Sequence, residues 1–380
     1  MNFTFNVAPR IYFGEGTARQ TGEIALQLGA KTVFCIYDKG VAAVAAAVVQ
    51  TLKESGLRVV EFDGVLPNPE DGLIEEAASL AREAGADAVV AVGGGSSIDT
   101  AKAVAVLLTN PSPLIQYTGP PNQVKIPGKP LIAIPTTAGT GSEATDVAII
   151  TVPAMAKKVA MVGRYVAPTV AICDPLLTMG LPPALTASTG MDAFTHAAEA
   201  YTCKLASIPT DAFALRAISL IAGNIVEATT NGGNIQARTN MLLASLLGGI
   251  AFSNAMVGMV HSLAHPISAH CHVGHGVANA ACLPYVMEYN APAVPERTIE
   301  IGVAMGLDLQ GLPQEEACAK VVAAVKELIE RIKIPRLSEA GVTEDKLEAI
   351  AEDAVVEVPS QFNPREVTKE ACLAVLKKAF

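Results

Sequence analysis

The sequence AVVAVGGGSSIDTAK, residues 88–102, decides the fold of the first half of the chain. Its first five residues are apolar and rich in valine, and glycines end the run, which predicts a short buried strand over residues 88–92. A helix is predicted to follow over residues 97–108. Between them, glycines let the backbone approach a ligand closely, and the N–H groups at a helix start favour phosphate. This order of elements indicates a phosphate-cradling turn.

A second loop of the same character is PTTAGTGS, residues 135–142, which also follows an apolar run and adds hydroxyl donors. Either loop alone is equally compatible with a plain tight turn, and neither contains the G-x-G-x-x-G fingerprint. Two such loops, each after a predicted strand, favour a bound nucleotide.

Outward from residues 88–102, strands and helices alternate over the first 180 residues. The predicted strands are 32–37, 58–62, 88–92, 131–134 and 170–173. The predicted helices are 17–28, 41–55, 71–84 and 97–108. This alternation predicts a doubly wound α/β domain, in which helices cover both faces of a mostly parallel sheet and ligands bind at the carboxyl ends of the strands.

Beyond residue 181 the strand-like runs almost disappear and helical patterns replace them. The predicted helices are 183–203, 210–229, 235–253, 257–269 and 315–332. We therefore predict an α/β dinucleotide-binding domain over residues 1–181 and an all-α metal-binding and catalytic domain over residues 182–380, with Pro182 and Pro183 at the switch. We expect the active site in the cleft between them.

Composition argues against several classes of partner and location. The net charge is −10 and no basic stripe is present, which argues against nucleic acid and anionic membrane surfaces. The longest apolar run spans about nine residues (Val41–Val49), against the ~20 that cross a bilayer. The N-terminal residues 1–6 do not resemble a signal peptide. The seven cysteines are scattered and no CxxC pair occurs, which argues against a disulfide framework. We expect a cytoplasmic protein.

The histidines are the strongest chemical signal in the second half. All six lie between residues 196 and 275, and five lie within fifteen residues: His261, His265, His270, His272 and His275. Asp192 precedes His196 by four residues, so both side chains lie on one face of the same helix. Imidazole and carboxylate groups are ligands for first-row divalent metals. We predict a metal site.

The separation of two of these histidines constrains the chain path. His261 and His275 would be roughly 21 Å apart on one continuous helix, which is too far for one ion. If both bind it, the chain must turn between them, and Pro266, Ser268 and Gly274 permit a turn. Spacing alone does not choose the ligands among the five clustered histidines.

Asp38 follows the predicted strand 32–37. An acid at this place can accept the ribose hydroxyls of a dinucleotide and repel a 2′-phosphate, which favours NAD over NADP. The alternative role, that of a helix N-cap, is equally consistent with the sequence.

The motifs taken together resemble those of the iron-containing (group III) alcohol dehydrogenases nearly from end to end. The matching stretches are PRIYFG 9–14, PNP 67–69, GGGSSIDTAK 93–102, TTAGTGSE 136–143, DP 174–175, LPPALTASTGMDAFTHAAEAY 181–201, residues 258–279 and NPR 363–365. The resemblance implies a dehydroquinate synthase-like fold, a homodimer or larger assembly, and hydride transfer between NAD(H) and a small primary alcohol or aldehyde, with aldehyde reduction as the direction in vivo.

The resemblance also implies roles for individual residues. The implied metal ligands are Asp192, His196, His261 and His275, with Fe²⁺ as the usual metal and Zn²⁺ in some relatives. His265 is then a catalytic proton-relay candidate. The implied NAD(H)-binding residues are Asp38, Asn68, Gly94, Gly95, Ser96, Asp99, Thr136, Thr137, Thr140 and Lys158.

The substrate remains open at this stage. Val147, which stands where some diol-oxidising relatives carry a polar residue, Phe252 and Met256 are pocket candidates, and their apolar character suggests a small or slim substrate. The stretch 151–157 lacks the acidic turn of many relatives, and Gly274 replaces a usual proline. His270 is either a pocket group or, as we favour, a surface residue, and His272 has no assigned role.

Three alternatives to a simple alcohol dehydrogenase are retained. A metal- and NAD-dependent lyase of the dehydroquinate synthase type would need several basic residues for a phosphate-bearing substrate, and the histidine region offers none. A glycerol or diol dehydrogenase is the second alternative. A metal-storage or nucleotide-sensing protein is the third.

Overall fold

The structure is a computed structural model that describes residues 3–7, 9–155 and 157–380. The predictions for residues 1–6 and 151–157 therefore fall partly outside the described residues. The chain divides into two compact units. The α/β unit contains Val7–Thr137 and Gly141–Gly180, and the helical unit contains Leu181–Phe380 with the short segments 3–6 and Ala138–Thr140. The sequence did not indicate that residues 138–140 group with the helical unit.

Eight strands and four α-helices build the α/β unit in its described part, with short 3-10 turns between them. The strands are β1 Arg10–Phe13, β2 Thr32–Tyr37, β3 Arg58–Phe62, β4 Ala88–Gly93, β5 Leu131–Pro135, β6 Val147–Val152, β7 Lys157–Val162 and β8 Val170–Cys173. The helices are α1 Thr21–Gln27, α2 Ala42–Glu54, α3 Asp71–Glu83 and α4 Gly95–Leu107. Six strands form a parallel sheet in the order β1-β8-β5-β4-β2-β3, while β6 and β7 form a separate antiparallel pair.

Both faces of the parallel sheet are covered, as predicted for a doubly wound fold. Successive residues of β2 enter opposite cores: Phe34 and Ile36 pack on one side, and Val33 and Cys35 pack on the other. The alternation follows from the two-residue period of a strand, and a strand buried on both faces is apolar throughout.

Nine α-helices build the described part of the helical unit. They are α5 Pro183–Thr202, α6 Ile208–Thr230, α7 Ile235–Ala255, α8 Met259–Cys271, α9 His275–Asn290, α10 Pro295–Ala304, α11 Gln314–Arg331, α12 Leu347–Val356 and α13 Lys369–Ala379. The sequence patterns predicted α5 to α8 and α11 but not α9, α10, α12 or α13.

Helix α6 is long and apolar enough to cross a membrane by length and composition, and the bent pair α7–α8 meets the same criteria. The expectation from the sequence rested only on uninterrupted apolar runs, and the longest of these is too short to cross a bilayer. These helices meet the criteria through their mean hydropathy, which tolerates single polar residues within the helix. In the structure α6 packs against α5 and α7 and buries Ile218, Ile221 and Ile225. Core helices of folded domains commonly meet these criteria.

The chain turns between His261 and His275 as predicted, but of the three residues named for the turn only Gly274 lies at it. Pro266 and Ser268 lie inside α8, which continues to Cys271. The turn comes later, at His272, whose φ is +56°, and at Gly274, the N-cap of α9. A proline inside a helix removes one backbone hydrogen bond, and the buried residues of α8 on either side of Pro266 hold the helix together.

Candidate active site

Helix α5 places Asp192 and His196 one turn apart in a buried position. Their side chains are almost fully buried, and Asp192 Oδ1 lies 3.9 Å from His196 Nε2. Small residues let the neighbouring helices approach α5 closely. A Cβ on Gly248 of α7 would lie 3.3 Å from the carbonyl oxygen of Ala193. The imidazole and the carboxylate are therefore held in a tightly packed interior.

The α8–α9 turn brings the second part of the histidine cluster to the same place. His261 lies in the first turn of α8, and His275 is the first residue of α9. The start of α9 lies directly against α5, because a Cβ on Gly276 would be only 2.3 Å from the carbonyl oxygen of Ser188. The ring centroids of His261 and His275 are 5.3 Å apart.

Three of the four predicted metal ligands form a compact donor set. One carboxylate oxygen of Asp192 and one ring nitrogen each of His261 and His275 lie within 4.8 Å of one another. The amide nitrogen of Asn279 lies among them, 2.7 Å from Asp192 Oδ1, 3.3 Å from His261 Nε2 and 3.2 Å from His275 Nε2. Three acceptor atoms therefore converge on one point.

This arrangement fits a divalent metal ion. Two imidazoles and a carboxylate are a donor set that Fe²⁺ and Zn²⁺ both accept. Asn279 Oδ1 is buried and has no hydrogen-bond partner among the described residues, which leaves an unsatisfied polar atom beside this donor set.

His196, the fourth predicted ligand, lies beside the compact set and is not part of it. Its ring stacks between Phe252 and His261, at centroid distances of 4.3 and 4.7 Å. Within the described part of the chain its buried Nδ1 has no hydrogen-bond partner. Its role as a ligand remains a prediction.

Glu199 of α5, which the sequence analysis did not single out, contacts His261 and its neighbour Val260. Its carboxylate oxygens lie 2.6 Å from His261 Nδ1 and 2.7 Å from the backbone nitrogen of Val260. Burial raises the pKa of Glu199 to about 7, although nearby backbone N–H groups oppose this rise. Burial also lowers the pKa of His261, which keeps the imidazole neutral. The one sequence signal was its spacing, three residues after His196 on the same predicted helix.

His265 forms a pair with a second unpredicted acid. Its Nδ1 lies 2.8 Å from Glu357 Oε2, and its ring stacks on His275 at 5.5 Å. In contrast, His270 is exposed and pairs with Asp353 at 2.7 Å, as expected for a surface residue. His272 is exposed and ends α8 in a left-handed conformation.

In the α/β unit, the glycine-rich loop joins β4 to α4 at the carboxyl edge of the sheet. Helix α4 begins at Gly95, two residues earlier than predicted, so Gly95 and Ser96 contribute N–H groups of its first turn. A Cβ on Gly94 would lie 3.3 Å from the side chain of Thr137, and a Cβ on Gly93 would lie 3.4 Å from Asp38 Oδ2. The ends of β2, β4 and β5 thus bring these predicted cofactor residues together.

Other predicted cofactor residues make contacts that define their local roles. Asp38 Oδ1 accepts a 2.8 Å hydrogen bond from the Gly40 nitrogen, which confirms the N-cap alternative, while the role toward ribose is untested. Lys158 Nζ donates to Asn68 Oδ1 at 2.8 Å, which joins two predicted cofactor residues. Thr136 is buried at the end of β5, and Thr140 belongs to the helical unit.

Asp99 lies in a buried network. Its oxygens accept hydrogen bonds from Ser142 Oγ at 2.6 Å and from the Ile149 nitrogen at 3.0 Å. The buried Lys102 lies 3.8 Å from Asp99 and donates to the carbonyl oxygen of Val147 at 2.6 Å. These contacts anchor α4 to β6, and they give Asp99 a structural role whether or not it contacts a cofactor.

The three pocket candidates have different surroundings. Phe252 packs on the ring of His196. Met256 ends α7 with a φ of +70°, a conformation that is uncommon for a residue with a side chain. Val147 is the first residue of β6 in the α/β unit.

Comparison with known protein families shows to which family a chain with this donor set belongs. The profile of the iron-containing alcohol dehydrogenase family matches residues 8–175, and that of the C-terminal part of Fe-containing alcohol dehydrogenases matches residues 186–380. The chain belongs to the iron-containing alcohol dehydrogenase family. It is an oxidoreductase of alcohols and aldehydes, and the family uses NAD(H) and iron.

Individual relatives match this enzyme over almost its whole length. It is 40% identical to a 1,3-propanediol dehydrogenase of Klebsiella pneumoniae, over 97% of this chain and 96% of that protein. A solved 1,3-propanediol oxidoreductase superposes with a TM-score of 0.98 at 39% identity, with both chains fully covered. Sulfoacetaldehyde reductase of Bifidobacterium kashiwanohense, solved in complex with NAD⁺, gives a TM-score of 0.90 at 29% identity over 99% of this chain and 98% of that one.

Proposed function

We propose that this enzyme interconverts a small primary alcohol and its aldehyde with NAD(H), and that aldehyde reduction is the direction in vivo. The observation that carries the proposal is the convergence of donor atoms from Asp192, His261 and His275, in a chain of this family. When bound, the metal supplies Lewis-acid polarisation of the substrate oxygen and NADH supplies the hydride.

Asp192, His261 and His275 hold the ion, and His196 is the fourth ligand. Support for His196 comes from its position: its ring lies against that of His261, and its Nε2 is 3.9 Å from the Asp192 carboxylate. Burial disfavours the charged form of His261, so the nitrogen that faces the site keeps a lone pair to donate. Fe²⁺ is the proposed ion, and Zn²⁺ is compatible with the same donors.

His265 transfers the proton that accompanies hydride transfer. Glu357 occupies its Nδ1, which leaves Nε2 as the ring atom that exchanges a proton with the substrate or with water. The ring lies against His275, so it is held close to the proposed ligands.

The glycine-rich loop and its neighbours hold NAD(H). The first-turn N–H groups of α4 suit the pyrophosphate. The proposed binding residues are Asp38, Asn68, Gly94, Gly95, Ser96, Asp99, Thr136, Thr137, Thr140 and Lys158. The carboxylate of Asp38 favours NADH over NADPH, because it repels a 2′-phosphate.

The substrate is small and largely uncharged, because each of the three candidate residues, Val147, Phe252 and Met256, is apolar. A diol substrate is the second candidate, favoured by the 40% identity to a 1,3-propanediol dehydrogenase. The lyase alternative has no comparable support, since both matching profiles describe alcohol dehydrogenases.

The enzyme works in the cytoplasm as a homodimer or larger homo-oligomer, without nucleic-acid or membrane partners. All seven cysteines are free thiols, which suits a reducing compartment. The net charge of −10 disfavours polyanionic partners. Light scattering after size-exclusion chromatography tests the assembly state.

The proposed site is tested by Asp192→Asn, with His270→Asn as the control. We expect Asp192→Asn to lose its bound metal. Its rate of aldehyde-dependent NADH oxidation should fall about a thousandfold, because the ion contributes several kcal/mol of charge stabilisation in the transition state. His270→Asn changes only a surface pair and retains both properties. Full metal content and turnover in Asp192→Asn would contradict the proposed site.

A further inference from the structure

Glu199 is the only acid among the described residues that contacts the ring of His261, and no part of the proposed reaction uses it. Its side chain is 6% exposed, so the contact is shielded from water. A carboxyl group this deeply buried is costly unless its oxygens meet donors. The surroundings of Glu199 therefore indicate what it does.

The donors come from the start of α8. Glu199 Oε1 accepts a hydrogen bond from the Val260 nitrogen at 2.7 Å, and Oε2 lies 2.6 Å from His261 Nδ1. Gly258, the N-cap residue of α8, has no side chain to cap the helix. Glu199 reaches over from α5 and replaces the missing cap, in a position where the helix dipole also favours a negative charge.

The same contact sets the tautomer of His261. In its ionised form Glu199 can only accept at Nδ1, so the proton of the neutral imidazole then resides on Nδ1 and the lone pair on Nε2. Nε2 is the nitrogen that lies 3.3 Å from the Asn279 amide, at the point where the donor atoms converge. The acid on one side of the ring therefore prepares the nitrogen on the other side to bind a cation.

We propose that Glu199 is a positioning residue for the metal site, which fixes both the first turn of α8 and the metal-binding tautomer of His261. This inference rests on the proposed function, because it takes the ion to lie at the convergence of Asp192, His261 and His275. Carboxylates that accept from a ligating histidine typically change metal affinity ten- to a hundredfold when they are replaced.

Glu199→Gln is the variant that tests the proposal. Glutamine keeps the size of the side chain and one acceptor oxygen for the Val260 N–H. Its amide nitrogen then faces His261 Nδ1 as a donor, which places the ring proton on Nε2, where it blocks metal binding. The expected result is a Zn²⁺ dissociation constant about ten to a hundred times that of the unmodified enzyme, measured by competition with a chromogenic chelator.

Asn363→Ser is the matched control for helix capping. Asn363 Oδ1 accepts from the Met259 nitrogen at 3.2 Å, so this variant also removes a hydrogen bond from the first turn of α8, together with the side-chain bonds to Asn290 and Arg365, but leaves the contact between Glu199 and His261 in place. We expect its Zn²⁺ dissociation constant to stay within about threefold of the unmodified enzyme, even where its melting temperature falls as much as that of Glu199→Gln.

Two results would overturn the proposal. Either Glu199→Gln binds Zn²⁺ within about threefold of the unmodified enzyme, or Asn363→Ser loses as much affinity as Glu199→Gln at an equal loss of melting temperature. Failure of the proposed function is a separate outcome: an unmodified enzyme that binds Zn²⁺ and oxidises no NADH with any aldehyde. The affinity comparison would still decide the role of Glu199.

Discussion

Glu143 and Glu199 are both buried glutamates, and burial raises the pKa of each to about 7. They differ in their partners. Glu199 meets donors from α8, whereas Glu143 Oε1 has no hydrogen-bond partner in the described structure. The charge of Glu143 is therefore a cost to the α/β unit, which a backbone N–H and the nearby Lys102 offset only in part.

Replacement of Glu143 by glutamine should change how stability depends on pH. The unfolded carboxyl titrates near 4.5 and the folded one near 7, so the folded state loses stability as pH rises between these values. The loss amounts to about 3 kcal/mol at most and is complete above pH 7. We expect the melting temperature of the unmodified enzyme to fall more between pH 5 and pH 8 than that of Glu143→Gln. Parallel curves would show that Glu143 keeps an ordinary pKa.

Asp38→Asn separates the two roles of Asp38. Asparagine caps the Gly40 N–H as well as aspartate does, so the local fold is retained. The negative charge is lost, and with it the repulsion of a 2′-phosphate. We expect the ratio of kcat/KM for NADPH to that for NADH to rise about tenfold, a change of about 1.4 kcal/mol. An unchanged ratio at an unchanged melting temperature would limit Asp38 to capping.

At the scale of elements, the close approach of α9 to α5 fixes the metal donors. We expect Gly276→Ala to cost about 1–3 kcal/mol, because the added Cβ would meet the carbonyl oxygen of Ser188 at 2.3 Å and backbone cannot yield easily. His275 moves with the displaced start of α9, so Zn²⁺ affinity falls about tenfold or more.

Gly274→Ala is the control for this contact. Its Cβ would meet only a methyl group of Val277 at 4.0 Å, and its φ of −58° suits alanine. Melting temperature and Zn²⁺ affinity should both stay close to those of the unmodified enzyme. Equal effects of the two substitutions would refute the packing argument.

The strands that were predicted from the sequence differ from those that were missed in the strength of their hydrophobic pattern. Strands β2, β3, β4, β5 and β8 were predicted because each is a short run rich in β-branched and other apolar residues, although β3 also contains Arg58 and Glu61. The four-residue β1 lies at the sheet edge and is half exposed, so it gives little periodic signal. The pair β6–β7 has apolar residues on both faces and no Asn-Gly or Asp-Gly turn between its strands.

The candidate site could likewise be predicted only in part from the sequence. The histidines and Asp192 stand out from sequence because chemically distinctive residues cluster among small apolar ones. Glu199 and Glu357 were missed because their histidine partners lie 62 and 92 residues away, and only tertiary structure reveals such contacts. Asn279 was missed although it is one helical turn from His275, because an amide in a helix carries no distinctive chemistry.

At the scale of the whole molecule, each unit carries a different part of the chemistry. The donors Asp192, His261 and His275 all belong to the helical unit, whereas the glycine-rich loop and Asp38 belong to the α/β unit. The family profiles match both parts of the chain, which agrees with a single enzyme that needs a metal and a dinucleotide together.

The central claim is metal-dependent hydride transfer between NAD(H) and a small aldehyde. Its most direct test is anaerobic NADH oxidation by the metal-stripped enzyme, with Fe²⁺, Zn²⁺ or no metal added, across short neutral, hydroxylated and anionic aldehydes, with NADPH in parallel. We predict turnover that requires metal, prefers NADH and is fastest with small uncharged aldehydes. Absence of turnover with every aldehyde and metal, in protein that binds both the metal and NADH, would contradict the claim.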